Sequence, residues 1–280
     1  MKKTVSDKIA IELRNFLCKY VSELPSPILC PLSGGVDSHS ILFACLETGT
    51  PVTAMSFMLD GVMSTDFYLA RRSAKQHGVD FIPVIIPKDI DTVVSDVKEL
   101  IRLGCRKKSD IECCFPFKYV APYTVDFPTL VSGHRADVQF GISKNAAMQG
   151  CQTDVGILDA YREKNVGKSC VQIKVIQKML DEWKSTALFP YKDSDVIKMF
   201  RGTKWSDINK PKQKQPIRST FPEQFARTKL KNHTNYQLGD SQISKQFERL
   251  VDIPSINTGG HRSVVGIYND FIRQELSSDV

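Results

Sequence analysis

The six residues after the first apolar run have the composition of an anion-binding loop. They lie between the apolar segments 27–32 and 41–46 and have the sequence Ser33-Gly34-Gly35-Val36-Asp37-Ser38. This order predicts a strand, a glycine turn and the start of a helix. Two glycines let backbone N–H groups approach a charged ligand, while the helix N-terminus and the serine hydroxyls favour an anion. A polyphosphate is the natural ligand of such a loop, although a tight connection that binds nothing can contain the same glycines.

Asp37 adds a second chemical feature to this loop. A carboxylate repels bound phosphates unless a divalent cation lies between them, and Mg²⁺ is commonly held by one or two carboxylates together with phosphate oxygens. The loop therefore predicts ATP as the ligand and Mg²⁺ as the bridging ion. The expected nucleotide contacts in the loop are Ser33, Gly34, Gly35, Asp37 and Ser38.

The elements that must position the loop alternate between short apolar runs and longer amphipathic segments. The patterns predict strands over 28–32, 52–58, 81–86 and 127–131, with helices over 6–24, 38–48, 65–77 and 89–103. Strands separated by helices of ten or more residues indicate an α/β fold with a doubly wound parallel sheet. In such a sheet the ligand sites lie beyond the carboxyl ends of the strands.

The second half of the chain has a different pattern. From residue 146 the strand signal fades, and helical spacing recurs over 171–183, 193–200, 244–250 and 264–276. We therefore predict two regions, a nucleotide-binding core with an N-terminal helix over residues 1–150 and a mostly helical region over residues 151–280.

Composition and charge narrow the class of protein. The chain has 280 residues, 41% of them hydrophobic, and eight cysteines without a Cys-x-x-Cys pair, which suggests a reducing, cytoplasmic setting. Its N-terminal segment lacks the uninterrupted apolar core of a signal peptide or membrane span, so no membrane partner is expected. The net charge of +7 is concentrated in residues 198–231. That basic stretch suits nucleic acid, closure over ATP and pyrophosphate, or simply a solvated surface.

A second polar segment follows the fourth predicted strand. It has the sequence Ser132-Gly133-His134-Arg135-Ala136-Asp137, and it belongs at the same edge of the sheet as the glycine loop. Asp137 is therefore expected to meet Asp37 across the metal ion, despite the hundred residues between them. The alternative is that Asp137 only caps the following helix, a common role of aspartate.

With these segments in place, the chain resembles the synthetase domain of the asparagine synthetase and β-lactam synthetase group of PP-loop ATP pyrophosphatases. The resemblance extends from about residue 28 to residue 240. Its matches occur in the order of the family's motifs: the loop 33–38, then Ser132-Gly133 with Ala136-Asp137 and Phe140-Gly141, then Lys214-Gln215-Pro216-Ile217-Arg218.

The resemblance implies a PP-loop fold of the adenine nucleotide alpha hydrolase type and an ATP-dependent, AMP-forming ligase. A carboxylate would attack the α-phosphate of ATP, pyrophosphate would leave, and a nitrogen nucleophile would convert the acyl-adenylate to an amide. Asp37 and Asp137 would hold Mg²⁺, and Gly133 would contact the nucleotide. Lys214, with Arg218 in the same motif, would neutralise charge that develops during the reaction.

Two positions depart from the family. His134 occupies the position of a glutamate near the acyl-adenylate, and Val138 occupies that of a second acid. A histidine can act as a base toward an incoming amine, because its ordinary pKa lies near 6.5. Alternatively, His134 contacts a more acidic substrate.

Adenine recognition is predicted from where PP-loop enzymes usually hold the base. That place is the end of the second strand, and its residues here are Ser56, Phe57 and Met58. Leu32 and Phe57 would be the apolar walls of the base site. All of these residues are equally suited to a plain hydrophobic core.

The expected partners are a small-molecule acceptor and a nitrogen donor. Only about 27 residues precede the first strand, so no glutaminase domain is expected in the sequence. Ammonia, a separate glutaminase or an amine on the acceptor would then supply the nitrogen. Two other functions stay open: a nucleic-acid base-modifying enzyme, which the basic stretch favours, and a nucleotide-binding regulator that has lost catalysis, which His134 and Val138 suggest.

Overall fold

The computed structural model describes residues 4–167, 170–232 and 239–277. Residues 233–238, near the end of the range that resembles the synthetase domain, lie outside this description. The five strands of the described chain are β1 (Ile28–Pro31), β2 (Val52–Leu59), β3 (Phe81–Ile86), β4 (Thr129–Val131) and β5 (Thr186–Leu188). They form one parallel sheet in the order β3-β2-β1-β4-β5.

Helices surround this sheet and dominate the second half of the chain. The longer ones are α1 (Val5–Ser22), α2 (Val36–Thr48), α3 (Thr65–Gln76), α4 (Ile90–Leu103), α5 (Lys108–Val120), α8 (Val155–Gly167), α9 (Val171–Asp181) and α15 (Val264–Ser277). The shorter ones are α6 (Ala136–Phe140), α7 (Lys144–Met148), α10 (Ser194–Phe200), α11 (Trp205–Asn209), α12 (Gln215–Arg218), α13 (Pro222–Arg227) and α14 (Ile243–Glu248). Short 3₁₀ helices cover Ala121–Asp126, Pro190–Lys192 and Arg249–Asp252.

Both faces of the sheet are covered, so successive side chains of a strand enter different cores. On β1, Ile28 and Cys30 pack into the core that contains residues of α1 and α2, while Leu29 packs into the core formed with α4, α5, α9 and α15. All three side chains are fully buried. The continuous apolar run of β1 follows from this arrangement, because a parallel strand buried on two faces has no solvent side.

The predicted fold class, a doubly wound parallel α/β sheet, is confirmed. The predicted strands and long helices occur within a few residues of their expected limits. Their ends have local causes: Gly49 ends α2 with a left-handed φ of 68°, and the Asp89 side chain caps α4 by accepting the Thr92 N–H at 2.8 Å. The division of the chain near residue 150 stays a prediction.

The sequence prediction did not contain strand β5, helices α5 and α8, or the short helices α6, α7, α11, α12 and α13. Strand β5 belongs to the second half of the chain and extends the sheet beyond β4; three residues are too few to show alternation. Helix α5 was missed because Pro116 lies inside it, and an internal proline ordinarily breaks a helical pattern.

The strand order creates a crevice between β1 and β4. From β1 the chain runs outward to β2 and β3 on one side, and later to β4 and β5 on the other. Ligands of open α/β sheets bind at such a reversal, outside the carboxyl ends of the strands. None of the helices in the described part of the chain has the length and apolar character needed to cross a bilayer.

Candidate active site

A cavity of about 900 Å³ lies at the carboxyl ends of β1, β2 and β4. It brings together most of the residues predicted from the sequence: Leu32, Ser33, Gly35, Asp37, Ser38, Ser56, Phe57, Gly133, His134, Asp137, Lys214 and Arg218. Two predicted residues do not line this cavity. These are Gly34, whose N–H is bonded elsewhere, and Met58, which is half-buried on β2 beside Ile85 of β3.

The glycine turn is held in shape by its own serines. Ser38 Oγ accepts the Ser33 N–H at 3.0 Å and lies 3.1 Å from Ser33 Oγ. Ser33 Oγ in turn accepts the Gly35 N–H at 3.2 Å. Gly35 is the N-cap of α2, so this network fixes the loop against the positive end of a 13-residue helix dipole.

The other glycine of the turn bonds to a residue that sequence analysis missed. The Gly34 N–H donates to Asp66 Oδ1 at 2.9 Å, and Asp66 Oδ2 accepts a short hydrogen bond from Lys231 Nζ. Both Asp66 and Lys231 line the cavity. In sequence, Asp66 is simply an acid in the first turn of α3, a common position for one, so no local signal connects it with the loop.

Gly133 explains how the second loop approaches the first. A Cβ atom on Gly133 would lie 2.5 Å from the carbonyl carbon of Asp37, 2.6 Å from its oxygen and 2.8 Å from the Ser38 nitrogen. These are backbone atoms that no rotamer change can move. Only glycine therefore permits the loop after β4 to lie against the first turn of α2, and this contact brings Asp137 toward Asp37.

Lys214 joins the two aspartates. Its ammonium nitrogen lies 2.6 Å from Asp137 Oδ1 and makes a shorter contact with Asp37 Oδ2. The Lys214 residue is only 2% exposed and has a left-handed φ of 59°, with its N–H donated to Asn209 Oδ1 at 3.2 Å. The backbone is thus held in an uncommon conformation that places the ammonium between both carboxylates.

The charge of Lys214 is secured by its two partners. Burial alone would lower the pKa of Lys214, but attraction to Asp37 and then Asp137 outweighs it and raises the pKa above its ordinary value. The side chain is therefore a permanent cation at neutral pH.

The two aspartates have the chemistry of a magnesium site. Their oxygens converge within contact distance of one point, the Lys214 nitrogen, and carboxylate oxygen is the ligand that Mg²⁺ prefers. Among the described residues, no group of three or more His, Cys, Asp or Glu side chains could hold a metal ion. The two carboxylates fit an ion that also binds phosphate oxygens. Such an ion would compete with Lys214 for both of them.

His134 lies on the cavity wall as a neutral imidazole. Burial and the nearby Arg135 charge lower the pKa of His134 to about 4, with Asp137 and a hydrogen bond to Gln172 opposing them. Its Nε2 lies 3.1 Å from Gln172 Oε1, and its ring packs edge-on against Phe189. At neutral pH the ring is uncharged: Gln172 Oε1 can only accept, so Nε2 carries the proton and Nδ1 is the basic nitrogen. The low pKa makes it a weaker base than an ordinary histidine, so its catalytic role stays a prediction.

Arg218 and the basic stretch contribute positive charge to the cavity lining. Arg218 is partly buried, and its Nε donates to the Gln213 carbonyl at 3.0 Å. Burial lowers the pKa of Arg218, whereas Asp37 acts in the opposite direction. Lys212 and Lys231 also line the cavity, so part of the basic stretch faces the site and part of it, including Lys204, is exposed.

Two helices form a wall that the sequence did not reveal. Helix α5 contributes Ser109, Cys113 and Phe117, and α9 contributes Gln172 and Ile176. Within each helix these residues are four positions apart, so they share one face. The four-residue spacing was the available signal for α5, but Pro116 obscured it. The wall is neutral, in contrast to the charged rim.

Two solved structures show a distant similarity to this chain. No family model matches the chain, and no curated protein matches its sequence. Among solved structures, NMN synthetase from Francisella tularensis matches with a TM-score of 0.37 and 15% identity, over 66% of this chain and 98% of that chain. The U34-tRNA thiolase NcsA from Methanococcus maripaludis, with its 4Fe-4S cluster, matches with a TM-score of 0.41 and 15% identity, over 96% of this chain and 80% of that chain.

Proposed function

We propose that this chain is an ATP-dependent, AMP-forming ligase that adenylates a carboxylate acceptor and transfers nitrogen to it. One observation carries the proposal. Asp37 and Asp137, from loops a hundred residues apart, share the Lys214 ammonium beside a glycine turn in a single cavity. Carboxylates, a buried cation and a helix N-terminus together suit a magnesium-bound triphosphate.

In the proposed reaction, an acceptor carboxylate oxygen forms a bond to the α-phosphorus of ATP. The bond from that phosphorus to the oxygen bridging to the β-phosphate breaks, and pyrophosphate leaves with the electron pair. In this proposal Lys214 and Arg218, which both line the cavity, stabilise the charge on pyrophosphate. A bound Mg²⁺ would neutralise further charge on the triphosphate.

The second half of the proposed reaction uses the neutral face of the site. A nitrogen nucleophile attacks the acyl carbon, the carbon–oxygen bond to AMP breaks, and the nitrogen loses a proton. His134 is uncharged at neutral pH, and in this proposal its Nδ1 accepts that proton. Ammonia, an amine on the acceptor or a separate glutaminase are the proposed nitrogen sources.

The nucleotide base is proposed to occupy the side of the cavity near β2. Leu32, Ser56 and Phe57 line that side. Ser56 is buried and Phe57 half-buried, which is suitable for stacking and for a small number of backbone hydrogen bonds. Met58 lies outside the cavity lining and is omitted from this proposal.

A second candidate function is modification of a nucleic-acid base, by adenylation of a base oxygen. The supporting observation is that Lys212, Arg218 and Lys231 face the cavity while other cations of the same stretch are exposed. A polyanion could cross such a rim to reach the site.

ATP–pyrophosphate exchange tests both functions. Labelled pyrophosphate should enter ATP when a carboxylate acceptor is present, and the Asp37→Asn and Asp137→Asn variants should lose that exchange. The first panel contains amino acids and other small carboxylates, and the second contains RNA and DNA. Exchange that requires a nucleic acid would support the second candidate and overturn the first.

ATP binding is measured together with exchange, so that a lack of exchange can be interpreted. Tight ATP binding with no exchange in either panel would contradict the ligase and favour a nucleotide-binding regulator. Where exchange occurs, ammonium, glutamine and amines are added in turn, and the one that converts exchange into net AMP formation is the nitrogen donor.

A further inference from the structure

The cavity contains a second lysine–carboxylate pair, separate from Lys214 and its aspartates. Asp66 is 8% exposed and lies in the first turn of α3. One of its oxygens accepts the Gly34 N–H at 2.9 Å, and the other accepts from Lys231 Nζ. The Asp66 carboxylate therefore accepts from one cationic donor, the Lys231 ammonium, and from one backbone amide of the glycine turn.

Lys231 is anchored to the same turn independently of its ammonium group. Its N–H donates to the Gly34 carbonyl at 2.9 Å. The stem of its side chain packs on Gly34, because a Cβ atom on Gly34 would lie 3.1 Å from Lys231 Cγ. The backbone of Lys231 thus stays on the loop whichever group its ammonium contacts.

The two donors that Asp66 holds are of the kind that bind phosphate. Backbone N–H groups of a glycine turn and a lysine ammonium are common ligands of phosphate oxygens. Lys231 lines the cavity, and Gly34 lies in the turn whose neighbouring residues Ser33 and Gly35 line it. The Asp66 carboxylate bonds to both donors and therefore takes the place that a phosphate oxygen could occupy. Phosphate oxygens that approach the turn must compete with Asp66 for them.

We propose that Lys231 is a ligand of the terminal phosphates of ATP, and that Asp66 is an internal anion which these phosphates displace. The proposal rests on the proposed function only in taking ATP as the ligand. On ATP binding, the Lys231 ammonium transfers from Asp66 to a phosphate oxygen, while the backbone contact with Gly34 is kept. Asp66 consequently weakens ATP binding, and Lys231 strengthens it.

Opposite effects of two variants test this proposal. Lys231→Met should weaken binding of ATP with magnesium about tenfold, because a charge-assisted hydrogen bond is lost. Asp66→Asn should tighten it about threefold, because asparagine still accepts the Gly34 N–H but holds Lys231 without charge. Isothermal titration calorimetry measures both. Neither variant should change the affinity for AMP, which has no β- or γ-phosphate.

Two controls separate phosphate binding from a structural role. Lys231→Arg should restore most of the ATP affinity, and Lys204→Met, an exposed lysine of the same basic stretch, should leave it unchanged. If Lys231→Met and Asp66→Asn both weaken ATP and AMP binding to the same degree, the pair only stabilises the loop and the proposal is wrong. Unchanged ATP binding in Lys231→Met also overturns it.

The outcome is distinguishable from failure of the proposed function. The affinities are measured without an acceptor, so a chain that binds ATP with the predicted pattern but shows no pyrophosphate exchange supports the Lys231 proposal and contradicts the ligase. Conversely, pyrophosphate exchange by the wild-type protein together with an unaltered ATP affinity in Lys231→Met would support the ligase and overturn the Lys231 proposal.

Discussion

Lys214 shows how much chemistry one buried side chain can determine. Its ammonium separates two carboxylates that would otherwise face each other, and those carboxylates keep it protonated at neutral pH. The same three groups are the proposed means of handling the charge of ATP. Structural and catalytic roles therefore overlap at this residue, and a single substitution affects both.

Replacing Lys214 by methionine should reduce both stability and activity. Loss of one partner of a buried ion pair leaves uncompensated charge, which costs about 3–5 kcal/mol of unfolding free energy. Urea unfolding at pH 7 measures this loss, and pyrophosphate exchange should fall to background. The triple variant Lys214→Met, Asp37→Asn, Asp137→Asn should regain most of the stability but none of the activity.

That triple variant separates the two roles. Recovery of exchange together with stability would show that Lys214 acts only as a structural counterion. If Lys214→Met alone unfolds like the wild-type protein, the two carboxylates can avoid each other without the ammonium, and the predicted loss of stability is wrong.

At the scale of elements, His39 links α2 to α3 behind the glycine turn. The ring is fully buried, and its Nδ1 donates to the Gly35 carbonyl at 2.8 Å, while Nε2 lies 2.9 Å from Ser73 Oγ. Because the carbonyl can only accept, Nδ1 carries the proton and Nε2 accepts from the serine. Burial lowers the pKa of His39 to about 4, although the Gly35 hydrogen bond acts in the opposite direction.

This burial predicts acid sensitivity between pH 6.5 and 4. In that range the unfolded chain protonates His39 while the folded chain does not, so the free energy of unfolding falls as the pH falls. The contribution of His39 to the loss by pH 5 is about 2 kcal/mol. Urea unfolding at a series of pH values measures it, and His39→Gln should have a shallower slope than the wild-type protein. Equal slopes would contradict the assignment.

At the scale of the whole molecule, the cavity is built from distant parts of the chain. The loops after β1 and β4 meet Lys214 and Lys231 from the basic stretch, so a ligand in the cavity would contact segments from both halves. A bound ligand of this kind should stabilise the folded molecule as a unit, because binding to the native state alone shifts the unfolding equilibrium.

ATP with magnesium should therefore raise the melting temperature. At a ligand concentration about a hundred times its Kd, the gain is about 2.7 kcal/mol, which corresponds to a rise of roughly 5 °C or more in a chain of this size. Differential scanning calorimetry measures the shift. ATP with a chelator should give a smaller rise, because Asp37 and Asp137 repel phosphates without the metal ion. An equal rise with and without magnesium would contradict the predicted metal site.

The features that the sequence alone determined depend on residues close together in the chain. The glycine turn, the four predicted strands and the ends of α2 and α4 depend on side chains within a few residues of each other, so composition and periodicity reveal them. The two aspartates were also predicted to meet, because the carboxyl ends of neighbouring parallel strands lie at one edge of a sheet.

Only the tertiary structure decided how the charges of the cavity are paired. The Lys214 contact with Asp37 spans 177 residues and the Lys231 contact with Asp66 spans 165. The family motif singled out Lys214, but no local pattern shows which carboxylate each lysine of the basic stretch contacts. The wall formed by α5 and α9 likewise depends on how two helices pack against the sheet. Such contacts join residues that are far apart in the sequence. They depend on how the elements pack and on which charges that packing buries together, so no local pattern of residues reveals them.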